Sequence, residues 1–206
     1  NNLKIQGKDA MELAMNNLVH SGKQGQFELK EMARYFPSLA AQMASMGGTG
    51  QEAVKELGIA MQAARKTAGT SGEAAANMSN WFSHMTAAST MKHFEEAGVD
   101  LQGEMLKRMN NADPSKRMGA FTASIDVFDQ YVDKITAGKT IEIKNASGKV
   151  KQTLNFKDAL AQAKAGGNES EVKAVVERFG LSTIIQDMQT ANFYLAMRQN
   201  KDFIQN

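Results

Sequence analysis

The chain has 206 residues, 42% hydrophobic and 22% charged, with 24 basic and 22 acidic side chains and no cysteine. That length supports a buried core, and the composition is that of a globular chain rather than a disordered one. The near balance of charge gives no general field to attract nucleic acid or an anionic membrane, and the missing thiols exclude disulfides, thiolate nucleophiles and thiolate metal sites.

Two prolines against many Ala, Met, Gln, Lys and Glu favour helix, because straight side chains lose little rotamer freedom there. The start at Asn1, without an initiating Met, reads as a piece excised from a longer protein, and no basic start followed by an unbroken apolar block marks a signal peptide. In chain order, Met11, Ala14, Met15 and Leu18 repeat at helical spacing over 9–20, with a stop at Ser21-Gly22. Leu29, Met32, Ala33 and Phe36 repeat it over 28–36. Pro37 then disfavours a helical Phe36, which predicts a kink or break before a helix carrying Leu39, Ala40, Met43 and Met46. Gly47-Gly48 is a turn, and Thr49 with Glu52 has the spacing of a capping box. The next helix buries Val54, Leu57, Met61 and Ala64 and ends near Gly69. Thr70 and Glu73 form a second capping box, opening a helix with Met78, Trp81, Phe82 and Met85.

"FEEAGVDL" over 94–101 ends a helix at Gly98 and restarts at Asp100. Asp113-Pro114 predicts a strong helix start, followed by the stripe Met118, Phe121, Ile125, Phe128 and Val132. After Gly138 the period changes to two. Ile141 and Ile143, a turn at Asn145–Gly148, then Val150 and Leu154 predict a β-hairpin over 139–156 that must lean on the helices, since an isolated hairpin is marginal in water. Helices resume at about 156, with a loop over 165–170, then Val172, Val175, Val176 and Phe179. A stop and start at Gly180 and Ser182 precede Ile184, Ile185, Met188, Ala191 and Leu195. The expected fold is all-α: a compact array of short amphipathic helices over 8–137 and 157–205, with one hairpin inserted at 139–156, forming a single module over 1–206.

Little in this pattern carries chemistry. His20, His84 and His93 form no His-Glu-x-x-His pattern, and a nine-residue spacing turns His84 and His93 to different helix faces, so no metal site is assigned. No nucleophile elbow, phosphate-binding glycine loop or dinucleotide fingerprint is present. No catalytic, cofactor-binding or metal residues are assigned, and no cofactor is expected. Glu95, Glu96 and Asp100 read as a solvated helix end. Lys139, Lys144, Lys149, Lys151, Lys157 and Lys164 are answered only by Glu142 and Asp158 over the same span. Without interleaved aromatics for base stacking, they read as edge protection of the hairpin rather than as a nucleic-acid patch. The fourteen methionines and the Trp81-Phe82 pair read as packing. Residues 35–51 and 74–91 approach the length of a membrane span with almost no charge, but Ser, Thr, Asn, Gln and Gly run through both.

The run "GQFELKEMARYFPSLAAQMASMGGTGQEAVKELGIAMQAARKTAGTSGEAAANMSNWF", residues 25–82, resembles the core region of phage tail tape measure proteins. The order carries the likeness: a Phe-x-Leu-x-x-Met-Ala helix, a Pro-Ser-Leu-Ala helix, a Gly turn, an Ala-Val helix ending in Arg-Lys-x-Ala-Gly, and an Ala-rich helix with Asn-Trp-Phe. "FEEAGVDL" and "FGLSTIIQDMQTANFYLAMRQN" are similar to later blocks, whereas the hairpin is placed with none of these blocks, and the resemblance implies no role for it. The resemblance implies a structural protein of a long-tailed phage or prophage. Its full chain would occupy the tail tube lumen, set tail length and leave ahead of DNA. The implied partners are tail tube and tail-tip proteins and tail assembly chaperones, in the virion tail and, during assembly, in the host cytoplasm. Self-association is a further expectation, specific nucleic-acid binding is not, and no catalytic residue is carried over.

One continuous helix of this length would reach about 300 Å, whereas a compact globule has a radius of gyration near ~17 Å. The many breakers favour the second, a docking or packing module. The competing readings are a membrane-active segment, motivated by the two nearly charge-free stretches, and, last, a cell-wall hydrolase using carboxylates.

Overall fold

The computed structural model describes residues 3–24, 27–144, 147–167, 169–185 and 188–200. Ten α-helices and one two-stranded antiparallel hairpin are found among them, so the all-α expectation holds. The helices are α1 (Lys8–Gln24), α2 (Leu29–Ser45), α3 (Gly50–Thr67), α4 (Ser71–Thr86), α5 (Ala88–Glu96), α6 (Leu101–Met109), α7 (Ala120–Thr136), α8 (Phe156–Ala165), α9 (Glu169–Phe179) and α10 (Met188–Gln199). The strands are β1 (Ile141–Lys144) and β2 (Val150–Leu154), registered Ile141 to Leu154, with a bulge between Ile143 and Lys144.

The end of α2 and the start of α4 have local causes. At the end of α2 the amide of Gly48 donates to the carbonyl of Met43 (3.1 Å) and that of Gly47 to Ala44 (3.0 Å), with Gly47 at φ +93°. This is the left-handed helix exit that glycine adopts without strain. Thr70 caps α4 as expected, its hydroxyl accepting from the Glu73 amide (3.1 Å). The return bond is displaced by one residue: the Glu73 carboxylate accepts from Gly69 rather than Thr70 (2.8 Å). Thr49 differs. It is the N-cap of α3, but its side chain makes no cap bond, and the adjacent Gly50 amide instead donates to the carbonyl of buried Leu3 (2.7 Å).

Several other boundaries depart from the sequence reading. Helix α1 continues through Gly22 to Gln24, and Gly22 lies where a Cβ would stand 3.4 Å from Leu29. Helix α2 runs unbroken through Pro37, with the Ser38 hydroxyl donating to the carbonyl of Tyr35 (2.9 Å) and Met32, Leu39, Ala40 and Met43 all buried. Burial along one face outweighs the amide bond that proline cannot make. Conversely, α4 and α5 are separated at Ala87, at ψ 137°, without any glycine or proline. Asp113-Pro114 opens only a single 3-10 turn, Pro114–Lys116, and α7 begins at Ala120. The chain does not restart at Ser182 either: residues 181–185 form a turn that buries Ile184 and Ile185 before α10. The hairpin leans on the helices through buried Leu154 and half-buried Ile141 and Ile143; Asn145 and Ala146 of its turn lie outside the described residues.

The start of α7 is set from another helix. Glu56 of α3 is buried, and its carboxylate accepts from the amides of Thr122 (2.7 Å) and Phe121 (3.3 Å) and from the Thr122 hydroxyl (2.6 Å). It thereby supplies in trans the cap that a helix N-terminus ordinarily finds in its own chain. Gly119 makes room for it, since a Cβ there would fall 2.1–2.4 Å from that carboxylate. Gln62 does the same for the entry to α2: its side-chain amide donates to the Phe27 carbonyl and its oxygen accepts from the Phe27 amide, each at 3.0 Å.

The core gathers on Trp81 of α4. Its indole N–H donates to Ser124 of α7 (3.0 Å), which in turn donates to the carbonyl of Phe121 (2.7 Å). Phe128 of α7 lies 5.0 Å from the Trp81 ring, Phe193 of α10 5.6 Å, and Tyr194 is stacked at 6.3 Å. Phe82 and Phe94 extend the cluster to Phe121 and Tyr131. Such edge and offset ring contacts add to area burial rather than replace it.

Glu56→Ala leaves the Thr122 and Phe121 amides without their acceptor and is expected to cost about 2–4 kcal/mol in a denaturant titration. Gly119→Ala should destabilise through the same contact, and Glu56→Gln less than Glu56→Ala. Burial pushes the Glu56 carboxyl above its ordinary range, and the cap bonds from Thr122 and Phe121 oppose that shift. The folded state therefore holds the Glu56 proton better than the unfolded chain. The stability advantage of the wild type over Glu56→Gln should be fullest at acid pH and shrink as pH rises through the raised value.

Candidate interaction surface

No group of three His, Asp or Glu side chains placed to hold a metal occurs among the described residues. His20 is exposed on α1. His84 is half buried, with Nε2 unpartnered within the protein, and His93 sits 3.4 Å from Glu96 on the same helix. Glu95 and Glu96 project into solvent, and Asp100 is the N-cap of α6, accepting from the Gly103 amide (2.9 Å). These residues were noted as a solvated helix end, and the structure does not converge them on any cleft. An open cleft of about 480 Å³ lies beside β1, lined by Lys139, Glu142, Arg178 and Phe179 among others. The Lys139 ammonium there donates to the Phe179 carbonyl (3.1 Å) at the end of α9, so its charge serves the helix terminus.

The lysines do not form one patch. Lys157 pairs with Asp133 (2.7 Å) and Asp129 (3.5 Å) of α7, Lys164 buries its amine, and burial pulls its pKa down. Lys149 and Lys151 remain exposed on the hairpin, and the Lys144 side chain lies outside the described residues. Asp129 is a junction: besides Lys157 it accepts from the hydroxyl of Tyr194 and lies 3.5 Å from Arg198, joining α7 to α8 and α10. Burial first, then the Asp129 charge, pushes the Tyr194 phenol far above its ordinary range, so it stays protonated as the donor. Arg108 joins α6 to α7 through Asp126 (2.7 Å) and Gln130 (2.9 Å) and pairs within α6 with Glu104 (2.8 Å), and bonds from Lys107 and Arg108 hold the Glu104 carboxyl below its usual range.

Glu56, Gln62 and Asp129 were not singled out in the sequence, yet each occupies an apolar stripe position. Glu56 falls between Ala53 and Ala60, and Asp129 between Ile125 and Val132. A polar residue at core spacing was the available signal.

The large apolar side chains exposed among the described residues lie on α1, at the start of α2, on α6 (Leu106) and on β2 (Val150). On α1 the side turned inward is made by Ala10, Ala14 and Leu18. Met11, Leu13 and Met15 are 47%, 51% and 54% exposed, which corrects the assignment of Met11 and Met15 to the core stripe. Small inward residues bring α1 close to α3 and leave the longer side chains outside. Leu29 at the start of α2 is exposed as well, and the other methionines whose side chains are described are buried or half buried. Trp81 and Phe82 are core residues.

A family model described as phage-related minor tail protein matches residues 1–180. The chain belongs to the phage-related minor tail protein family. It is also similar to a protein named "Probable tape measure protein" from Burkholderia phage BcepMu, at 32% identity over 200 residues. That alignment covers 97% of this chain and 21% of the relative, so the chain spans about a fifth of the length of the relative it matches. No solved structure matches. The tape measure resemblance read from residues 25–82 and two later blocks thus extends over nearly the whole chain, and both matches run through the hairpin, which the sequence reading had left without a counterpart. This phage tail protein has no helix, among its described residues, that is long and apolar enough to cross a membrane. The two charge-poor stretches instead fall on α2, its exit turn and the start of α3, and on α4 and α5.

Met11→Ser and Met15→Ser should leave folding stability within about 0.5 kcal/mol, because they remove exposed surface. Asp129→Ala, which strips Tyr194 and Lys157 of their shared acceptor, should cost about 1–3 kcal/mol. Thermal unfolding of the three variants side by side checks the contrast.

Proposed function

We propose that this chain is a folded docking module of a tape measure-like tail protein, acting through helix-mediated protein–protein contacts rather than catalysis. The parent chain sets tail length and occupies the tail tube lumen in the virion, after assembly in the host cytoplasm. Its partners are tail tube and tail-tip proteins, assembly chaperones and further copies of itself. The observation that carries this reading is the alignment of 97% of the chain with a tape measure protein. Its helices fold back on one core, and Glu56, Arg108 and Lys157 use their charges to cap helices or pair across them. Such a module presents contact faces, here the exposed apolar flanks of α1, and leaves linear measurement to other parts of the parent chain.

In-frame deletion of the coding sequence for residues 1–206 from the parent phage, followed by electron microscopy of the particles, tests this. Loss of tails, or tails of disordered length, is the expected result. Tails of normal length would contradict a role in assembly. Infectious tails shortened uniformly by about 300 Å, the length of this segment as one straight helix, would mean that it measures as a rod and does not dock as a folded unit.

A further inference from the structure

The last described helix is enclosed as thoroughly as α3, whose residues 60–64 are all buried. Helix α10 has Thr190, Ala191 and the consecutive residues Phe193, Tyr194, Leu195, Ala196 and Met197 all buried. Five buried positions in a row cover every direction around a helix, which marks a helix enclosed by its neighbours rather than one lying on the surface. The neighbours come from far away in sequence. Phe193 lies against Trp81 of α4 and Phe121 of α7 (5.5 Å), and Tyr194 against Trp81 and Phe128 (4.9 Å). At the ends, Asn80 donates to Gln189 and Lys66 of α3 reaches Asn200 (3.5 Å).

We propose that α10 is a strap that closes the apolar groove between α3, α4 and α7. On this account the folded unit includes α10, and α4 and α7 keep their packing only while α10 is in place. Without α10, Trp81, Phe121 and Phe128 each lose ring neighbours on one side, and the Asp129 carboxylate loses the Tyr194 hydroxyl and Arg198. The groove between α3, α4 and α7 is therefore held in shape by its occupant, α10, and does not persist without it. The hairpin, α8 and α9 lie between α7 and α10 in sequence, so the strap reaches its groove only after that insertion has been made.

Hydrogen exchange of the full 206-residue chain in rising sub-denaturing guanidinium, read by mass spectrometry, tests the proposal. The expected result is that amides of α10, α4 and α7 merge into one opening transition. Leu195→Ala should then lower the protection of all three by the same factor, on the order of a hundredfold. Should that variant leave no native signal, Leu195→Val makes the same comparison with a common loss of about tenfold. Opening of α10 at lower guanidinium than α4 and α7, or loss of protection confined to α10 in either variant, would show that the groove is stable without its strap and overturn the proposal.

Discussion

The indole of Trp81 is the point at which three helices distant in sequence are held together. Its N–H satisfies Ser124, its ring meets Phe128, Phe193 and Tyr194, and no part of it reaches solvent. An indole is large enough to anchor a core but carries a donor that must be matched when buried. Ser124, itself fully buried, meets that need without adding bulk. The fold follows from this arrangement, because α4, α7 and α10 cannot separate without exposing both an aromatic cluster and an unsatisfied donor.

Around that junction, α3 works as a supplier of caps. Glu56 ends one face of the helix at the start of α7, and Gln62 holds the backbone of Phe27 at the entry to α2. Short helices leave many unpaired amides and carbonyls per residue, and a compact array of them must satisfy these groups from neighbours. The same logic runs through the ion pairs. Asp129, Asp126 and Lys139 act at helix junctions and termini, where a charge has partners, and none of them gathers with others into a reactive centre. For a tail protein of this family, the result is a body whose ion pairs tie helix to helix, and whose exposed large apolar side chains include Met11, Leu13 and Met15 of α1.

The sequence was most legible where the signal was local. Gly47-Gly48, the Thr70–Glu73 pair and the period-two run at Ile141 and Ile143 all became the expected turn, cap and strand, because each is decided by a few adjacent residues. It misled where a distant residue decided. Asp113-Pro114 has every local mark of a helix start, yet the start of α7 belongs to Gly119 and Ala120 because Glu56 arrives there from α3. Pro37 reads as a break, yet α2 continues since Leu39, Ala40 and Met43 have a core to enter. On α1 the periodicity was correct, but the inward side went to Ala10 and Ala14, whose small size permits close approach to α3. The exposed methionines were therefore hidden within a stripe that looked like core.

Trp81 is the sole tryptophan, so its fluorescence reports on the junction directly. The account predicts a blue-shifted emission, shielded from an aqueous quencher, that moves to the red in a single denaturant transition coincident with loss of far-ultraviolet circular dichroism. Emission characteristic of a water-exposed indole in native buffer, or a fluorescence transition well ahead of the loss of helix, would contradict it.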